Sequence, residues 1–403
     1  MILESVLSNI VEQQKQRLSV HDSGLKRELV PALQNLPSHA LIISGVRRCG
    51  KSTLLLQIME KLPQEDFLYL NFEMPRLYNF DISDFTRLDN IITKKGTKTL
   101  FFDEIQYVDA WELYVRQKLD EGYRVIITGS NASLMSKELG TKLTGRHISQ
   151  ELFPFSFSEF LKFKELKASA ESLEKYLTTG GFPEYLKTQY EEQLSTLFDD
   201  ILFRDIVARF GIKDIKSLQR LAVYLYSNIG NRITATKLKQ ILSIGATSTI
   251  LSWFSHFELS YLVFFLPMFS HSTKAQLINP RKVYAIDLGL INIVSNKLTG
   301  DKGHKLENLV YLHLRKKYKE LYYFDENGEC DFVAMKNAKV KELIQVSYQL
   351  TPDNLEREIG GLKKAMQFFK LNKGVIITLN DKDSFMEQGL EIEVIPAFEY
   401  LLQ

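Results

Sequence analysis

Four residues near the start of the chain have the types and spacing that phosphate chemistry requires. Gly45, Gly50, Lys51 and Ser52 fit the pattern G-x-x-x-x-G-K-[ST], in which backbone N–H groups converge on phosphate oxygens. The lysine would reach the β- and γ-phosphates, and the serine hydroxyl would ligate Mg²⁺. An apolar run precedes the pattern and a helix-forming run follows it, so we predict a nucleoside triphosphate site. Further contacts are expected from Val46, Arg47, Arg48, Cys49 and Thr53.

Two adjacent carboxylates end a second apolar run, at residues 99–104. Asp103 is placed to hold Mg²⁺, as an aspartate at a strand end does in P-loop enzymes. Glu104 is placed to orient and deprotonate the attacking water. Such a pair alone is also typical of an exposed acidic turn. Here another apolar run, FLYLNF, lies between the glycine pattern and the pair, and this order favours catalysis.

Two further polar residues are candidates for the same chemistry. Ser130 follows the apolar run RVIIT, where a polar side chain can sense the γ-phosphate; we expect this role for Ser130 before Asn131. The alternative is that either residue only caps the next helix. Arg146, in the loop KLTGR, could stabilise charge on the transferring phosphoryl group, within its own chain or across a subunit boundary. The alternative for Arg146 is a surface arginine.

In combination, these segments resemble a prokaryotic AAA-type P-loop ATPase with a C-terminal DUF4143-type domain. The resemblance rests on ISGVRRCGKSTLL, LFFDEIQ, ITGSNASLM and LTGRH followed by ELFPFSFSEFL. Further along the chain it rests on GGFPEYL, ILFRDIVARFGI, INPRKVYAIDLGL and LENLVYLHL. The resemblance implies that the nucleotide is ATP, with Lys51, Ser52, Asp103 and Glu104 in the roles given above.

Composition narrows the class of protein. A chain of 403 residues suggests about two or three domains, and a formal net charge of +2 leaves any nucleic-acid contact to a local patch. The only cysteines are Cys49 and Cys330, which is consistent with a reducing cytoplasm. The N-terminus does not have the pattern of a signal peptide. The longest apolar run, residues 259–269, is too short to cross a bilayer, so no membrane contact is expected.

We predict an α/β protein of four parts. Residues 1–160 alternate strand and helix patterns, which predicts a P-loop AAA-type ATPase domain with a parallel sheet. Residues 161–230 have a helical pattern and form a lid or linker. Residues 231–295 form a winged-helix domain, and residues 303–403 form a restriction-endonuclease-like α/β domain.

The third part has features of a DNA-binding module. Two short helices around a turn at Gly245 suit helix-turn-helix geometry, and two later strands with a polar loop at residues 271–274 would form the wing. This part contains six basic residues and a single acidic one, Glu258, and this excess of positive charge favours phosphate contact. Because the second helix carries no arginine, we expect little sequence specificity. The alternative is a protein-packing module. The basic residues are Arg232, Lys237, Lys239, Lys274, Arg281 and Lys282, of which Lys237, Lys239 and Lys282 are the predicted DNA contacts.

The fourth part carries the remnant of a nuclease motif. Glu307, Asp331, Gln345 and Ser347 stand where restriction-type nucleases place three metal-binding groups and a lysine. Gln345 replaces a carboxylate and Ser347 replaces the lysine that would activate water. Lys341 or Lys363 could substitute for that lysine in space. We predict a degenerate domain that binds without cutting.

The sequence thus predicts an ATPase that converts ATP to ADP and phosphate with Mg²⁺, and that acts as a switch on or near DNA. It leaves open a homo-oligomeric state. One alternative is a signalling ATPase whose later domains bind protein partners. Another is an ATP-regulated, metal-dependent nuclease.

Overall fold

The structure is a computed structural model that describes the chain except residues 21, 31–37, 64–65, 133–141, 296–300, 327 and 388. The chain forms two compact units, Met1–Phe153 and Pro154–Gln403. The finer division into four parts stays a prediction. The end of the segment ITGSNASLM lies outside the described residues.

Five strands form a parallel sheet in the described part of the first unit. Their order is β2-β3-β4-β1-β5. Apolar side chains of β1, β3 and β4 are buried almost throughout, as in parallel sheets covered on both faces. The carboxyl ends of β3, β4 and β1 are neighbours, so the segments that follow them meet at one edge. The strands are β1 (Ala40–Ser44), β2 (Phe67–Asn71), β3 (Thr99–Asp103), β4 (Arg124–Gly129) and β5 (His147–Glu151).

Helices cover this sheet. The amphipathic N-terminal helix α1 buries Leu7, Ile10 and Val11 in the core of the first unit. The helix-forming run after the glycine pattern is α2, which ends at Met59. Among the helices that the structure describes in the whole chain, none combines the length and apolar character needed to cross a membrane. The helices of the first unit are α1 (Glu4–Ser19), α2 (Lys51–Met59), α3 (Asp84–Lys95) and α4 (Trp111–Asp120).

The second unit begins with helices, as the sequence pattern indicates. Ser156 and Ser169 each accept a hydrogen bond from the third helical residue and begin α5 and α6 in capping boxes. The chain then bends at Gly180 and Gly181 before a helix that starts with a proline. These helices are α5 (Phe157–Lys164), α6 (Ala170–Thr179), α7 (Pro183–Thr188), α8 (Glu191–Asp200) with its π-helical continuation Ile201–Ala208, and α9 (Ile215–Tyr226).

A small antiparallel sheet with four helices follows in the described part of the chain. Its strand order is β6-β8-β7. The predicted polar loop at residues 271–274 is wrong in part, because Ser272 caps a short helix that begins at Thr273. The elements are β6 (Arg232–Ile233), α10 (Ala235–Ile241), α11 (Thr247–Leu259), β7 (Val263–Pro267), α12 (Thr273–Ile278), β8 (Arg281–Ala285) and α13 (Leu288–Val294).

The rest of the second unit is a mixed sheet with helices. The order of its described strands is β13-β14-β12-β11-β10-β9, with β11, β12 and β14 parallel. Val333, Leu343, Leu362 and Ile376 are among the residues of its apolar core. The elements are α14 (Lys302–Lys317), β9 (Glu320–Asp325), β10 (Glu329–Lys336), β11 (Lys339–Val346), α15 (Pro352–Phe369), β12 (Lys373–Thr378), β13 (Asp383–Glu387), β14 (Leu390–Pro396) and α16 (Ala397–Tyr400).

Candidate active site

The predicted phosphate loop joins β1 to α2. Gly50 lies directly before the helix in the left-handed region, with φ of 99°, a conformation that glycine adopts without strain. Gly45 is packed so closely that an added Cβ would lie 2.1 Å from the carbonyl oxygen of Leu152. Both glycines are therefore required by the backbone. Of the other loop residues, Val46 and Cys49 are buried, Arg47 is half-buried, and Arg48, Ser52 and Thr53 are exposed.

Lys51 and Glu104 form a buried ion pair in this site. The Lys51 Nζ lies 3.2 Å from Glu104 Oε1 and donates to the carbonyl oxygens of Gly45 and Val46 at 3.2 and 3.3 Å. Burial disfavours both charges, but their attraction raises the pKa of Lys51 and lowers the pKa of Glu104. Both groups are therefore ionised at neutral pH, and the lysine has partners that phosphate oxygens can replace.

Asp103 is fully buried at the carboxyl end of β3. Its Oδ2 accepts hydrogen bonds from the Tyr69 hydroxyl at 2.8 Å and the Asn71 side chain at 2.9 Å, and its Oδ1 accepts one from the Thr128 hydroxyl. The Ser52 hydroxyl also hydrogen-bonds this carboxylate. Burial, together with the neighbouring Glu104, raises the pKa of Asp103, so a cation at this point would favour its ionised form.

Ser130, which directly follows β4, contacts the Glu104 carboxylate. The Ser130 backbone N–H donates to Glu104 Oε2 at 3.2 Å, and the Gln106 side chain donates to the same oxygen. Gln106 also donates to the Ser130 hydroxyl at 3.3 Å. The Glu104 carboxylate is thus held in one orientation by Lys51, Gln106 and Ser130. Asn131, the second candidate, is also buried.

Several residues of this site were missed from the sequence. Arg27 is buried behind the phosphate loop and donates to the carbonyl oxygens of Cys49 at 2.8 Å and Phe153 at 2.7 Å. No sequence signal indicates it, because it lies in no motif. By contrast, Tyr69 and Asn71 alternate at the end of β2, and this period-two pattern beside Asp103 could have identified them.

Arg146 does not lie with these residues. It adjoins His147, which pairs in register with Ala40 at the amino end of β1. The phosphate loop leaves the opposite end of β1, about 13 Å away at about 3.3 Å per strand residue, and the Arg146 guanidinium pairs with Asp120 at 2.7 Å. A role for Arg146 within its own site is therefore wrong for this structure, and only a role across a subunit boundary stays a prediction.

The residues present fit a nucleotide with Mg²⁺. The hydrogen bond between Ser52 and Asp103 brings a hydroxyl and a carboxylate oxygen to one point, and these are ligands that Mg²⁺ prefers. Gly50, in the left-handed region, directly precedes α2, and the first N–H groups of a helix have no partner within the helix and can bind phosphate. Bound there, Mg²⁺ would neutralise charge on the phosphates.

A second polar cluster lies in the C-terminal part of the second unit. Glu307, Asp331 and Gln345 come together, as the nuclease motif predicts, and all three are buried. A lysine lies among them: Lys282 Nζ is 2.6 Å from Asp331 Oδ1 and 3.0 Å from Glu307 Oε1. Ser347 occupies the motif position of the lysine, and the lysine that lies in the cluster comes from outside the motif, on β8. Lys363 instead pairs with Glu387.

Glu358 is a third carboxylate of this cluster that was missed from the sequence. Its Oε2 accepts a hydrogen bond from the Gln345 side chain at 2.7 Å, and its Oε1 pairs with Arg357. The cluster borders a cavity of about 980 Å³. Within the described residues, no group of three or more His, Cys, Asp or Glu side chains is arranged to hold a metal ion.

The predicted DNA contacts do not lie together. Lys237 is exposed and Lys239 is half-buried on α10, but Lys282 is 3 % exposed and bound to two carboxylates. Its prediction as a DNA contact is therefore corrected, because its charge is already compensated inside the protein. Arg232 pairs with Asp325 and Glu329, which reduces the basic surface further.

Family comparisons match two segments of the chain. Residues 37–161 match an AAA domain, the part that holds the phosphate loop, Asp103 and Glu104. Residues 170–301 match a domain of unknown function, DUF8612. The predicted DUF4143-type domain is therefore wrong: the domain that follows the AAA domain is DUF8612.

Similar proteins span nearly the whole chain. A Methanocaldococcus jannaschii protein described as uncharacterized, MJ1544, is 36 % identical over 99 % of this chain and 94 % of its own length. An uncharacterized Haemophilus influenzae protein is 31 % identical over 90 % and 94 %. AMPPCP-bound DnaA from Aquifex aeolicus is a structural match with a TM-score of 0.28 and 14 % identity, covering 57 % of this chain and 85 % of DnaA, which is too weak to inform function. In this chain an AAA domain is followed by a DUF8612 domain, and the chain belongs to the family of MJ1544.

Proposed function

We propose that this protein is an ATP-hydrolysing molecular switch. The observation that carries the proposal is the juxtaposition of Lys51, Glu104, Asp103 and Ser52 at the carboxyl edge of the parallel sheet. ATP and Mg²⁺ are the proposed ligands, and ADP and phosphate are the products. The AAA domain at residues 37–161 supports this assignment.

In the proposed mechanism, ATP separates the Lys51–Glu104 ion pair. Phosphate oxygens replace the carboxylate as partners of Lys51, since a lysine binds the charged β- and γ-phosphates more favourably than one carboxylate. Ser52 and Asp103 would hold Mg²⁺. Glu104 stays oriented by Gln106 and the Ser130 N–H, and its freed Oε1 accepts a proton from the attacking water. The resting ion pair thus keeps the base neutralised until nucleotide arrives.

The test is to compare ATP binding and turnover in two variants. Lys51→Ala should lose nucleotide binding or turnover, because the charge facing the phosphates is gone. Glu104→Gln should bind ATP and lower the turnover rate by about 10²-fold or more, the contribution of a general base. Glu60→Gln, at the exposed residue directly after α2, is the matched control. Normal turnover by Glu104→Gln would reject Glu104 as the base.

A second proposed activity is DNA contact through α10 and α11. The order helix α9, strand β6, helices α10 and α11, then strands β7 and β8 in one antiparallel sheet, with the short helix α12 between these two strands, supports a winged helix. Lys237 is exposed on α10. With Lys282 buried, the contact depends on Lys237, Lys239 and Lys274. The rival proposal is a protein partner on the same surface.

The DNA proposal is tested by the salt dependence of binding. Charge reversal at Lys237 and Lys239 should weaken binding similarly for unrelated sequences and flatten its salt slope, by about one unit per lost phosphate contact. ATPase rates with and without single- and double-stranded DNA show whether the two activities are coupled. Unchanged DNA affinity would favour the protein-partner proposal.

We also propose the domain limits, the location, the oligomeric state and the role of the C-terminal domain. We propose the domain limits 1–160, 161–230, 231–295 and 303–403, a cytoplasmic location, and a homo-oligomer in which Arg146 reaches a neighbouring site. The C-terminal domain is proposed as a restriction-endonuclease-like fold that binds without cutting. Incubation with plasmid DNA or RNA in Mg²⁺ or Mn²⁺ tests this, and cleavage that disappears in Asp331→Ala would promote the nuclease alternative.

A further inference from the structure

The Lys282 side chain enters the C-terminal carboxylate cluster from outside its sequence motif. It extends from β8, in the small antiparallel sheet, to Glu307 on α14 and Asp331 on β10. Its Nζ lies 3.0 Å from Glu307 Oε1 and 2.6 Å from Asp331 Oδ1. A third carboxylate oxygen, of Glu329, is 3.6 Å away. One ammonium group thus lies within ion-pair distance of three carboxylates.

The oxygens that could ligate a metal ion already have hydrogen-bond donors. Glu307 Oε1 accepts from the Tyr284 hydroxyl at 2.7 Å as well as from Lys282. Asp331 Oδ2 accepts from the backbone N–H of Val346 at 2.9 Å. The Gln345 Oε1, the only amide oxygen of the motif, accepts from the Asp331 N–H at 3.2 Å. A divalent ion needs several such oxygens at once, and here donors within the protein engage them.

The charges of the cluster require a cation at this position. Glu307 and Asp331 are both buried, and two buried carboxylates without a compensating charge would be strongly unfavourable. Lys282 supplies the charge, and the carboxylates raise its pKa despite its burial. Arg357 forms an ion pair with Glu358. Arg232 forms ion pairs with Asp325 and Glu329. Lys282 is therefore the cation that balances Glu307 and Asp331.

We propose that the Lys282 ammonium is a tethered cation that occupies the position between Glu307 and Asp331 in which a divalent ion would be held. The site is closed to Mg²⁺ and Mn²⁺ because the polypeptide supplies its own cation. The C-terminal domain then keeps its nuclease-like arrangement of acids without needing a metal. This proposal concerns the second unit alone and does not depend on ATP hydrolysis.

The test is direct Mn²⁺ binding, measured by electron paramagnetic resonance on the nucleotide-free full chain. Wild type should bind no Mn²⁺ that depends on Asp331. Lys282→Met, which keeps most of the length of the side chain and removes its charge, should bind Mn²⁺ with an affinity at least about tenfold above the detection limit set by wild type. Lys282→Met combined with Asp331→Asn should lose the gain. Lys364→Met, which removes an exposed lysine lining the same cavity, is the matched control and should resemble wild type.

A second measurement covers the case in which Lys282→Met folds poorly. Under the proposal, Mn²⁺ replaces the missing ammonium, so it should raise the melting temperature of Lys282→Met and leave that of wild type unchanged. Absence of both Mn²⁺ binding and thermal rescue in Lys282→Met would overturn the proposal. So would a wild-type Mn²⁺ signal that disappears in Asp331→Asn, since the site would then be open to metal beside its lysine.

Discussion

Individual side chains of the candidate active site are coupled through Thr128. Its hydroxyl donates to Asp103 Oδ1 and accepts from the Glu104 backbone N–H at 3.1 Å, so one buried group serves both acidic residues. Thr128 lies on β4, one strand away from the acids it contacts. Asp103 and Glu104, the proposed metal ligand and general base, are therefore held relative to each other by a residue on the neighbouring strand.

Thr128→Val tests how much the hydrogen bonds of the Thr128 hydroxyl, as distinct from the packing of its side chain, contribute to stability. The substitution keeps the shape of the side chain but leaves Asp103 Oδ1 and the Glu104 N–H without this partner. We expect a loss of about 1–3 kcal/mol in the free energy of unfolding, measured by urea titration, and a lower ATP turnover. Thr93→Val, at an exposed position of α3, is the control. Equal stability of the two variants would show that the bridge contributes nothing.

Asp287 is expected to make the stability of the second unit depend on pH. Its buried carboxylate accepts from the N–H groups of Gly181, Gly289 and Leu290 at 2.6, 2.8 and 3.2 Å, yet burial outweighs these bonds and raises its pKa to about 6. A raised pKa in the folded state means that folding favours the protonated form. This contribution to stability is complete below about pH 4 and is lost as pH rises through about 6.

The prediction is a difference in pH profile between wild type and Asp287→Asn. Between about pH 4 and pH 7, wild type should lose roughly 3 kcal/mol of unfolding free energy relative to the variant, which cannot titrate. Chemical denaturation at several pH values measures this difference. The constant offset from the altered cap does not matter, since only the slope is compared. Parallel profiles would mean that Asp287 titrates alike in the folded and unfolded chain.

At the scale of elements, the turn between α6 and α7 depends on its glycines. Gly180 has φ of +70°, and a Cβ on it would lie 2.2 Å from Asp287 Oδ1. The N–H of the next residue, Gly181, donates to the same carboxylate. The segment GGFPEYL therefore begins with a turn whose backbone contacts Asp287, the N-cap residue of α13. Helix α7 begins directly after this turn, at Pro183.

Gly180→Ala should destabilise the protein through both strain and overlap. With φ of 70° and ψ of −160°, Gly180 lies in a region that is open essentially only to glycine, where a residue with a Cβ is strained by about 1–3 kcal/mol. The contact with Asp287 should bring the total to about 3 kcal/mol or more. Gly211→Ala is a matched control, because Gly211 also has positive φ, +61°, but no heavy atom within 4 Å of an added Cβ. Thermal or urea unfolding measures both. Equal losses would show that overlap with Asp287 is absent.

At the scale of the whole molecule, the proposed catalytic role of Arg146 depends on whether copies of the chain assemble. Arg146 lies at the amino edge of its own sheet, so it can serve a phosphate site only in another copy of the chain. Arg146→Ala should then keep ATP affinity and lower turnover by about 10³-fold or more, as loss of an arginine finger does. Mixing it with Lys51→Ala should restore part of the activity, because each variant supplies what the other lacks.

The control for this experiment is the oligomeric state, measured by light scattering on each variant and on the mixture. Recovery of activity in mixed oligomers would assign Arg146 to the neighbouring site. No recovery in confirmed mixed oligomers would leave Arg146 with its ion pair to Asp120 and no catalytic role. Arg124→Ala removes a half-buried arginine at the start of β4. It is the control for a loss of activity that comes from destabilising the fold rather than from removing the arginine finger.

The sequence by itself determined the phosphate loop and the strands beside it. Gly45, Gly50, Lys51 and Ser52 are close in the chain, and their conformation follows from local constraints on glycine and from the apolar run before them. Asp103 and Glu104 could be identified because parallel strands bring their carboxyl ends to one edge. The alternation of strand and helix patterns likewise indicated the α/β fold of the first unit.

Only the tertiary structure decided which distant residues complete each site. Arg27, which lies in no motif, joins the candidate active site through long-range contacts. Thr128 and Gln106 lie within motif segments, but their hydrogen bonds to Asp103 and Glu104 follow only from the folded structure. Lys282 was assigned to DNA because the sequence around it is basic, whereas folding carries it 49 positions along the chain to Asp331. A charge run indicates local composition, but the partner of a buried charge is set by long-range packing, which sequence spacing does not contain.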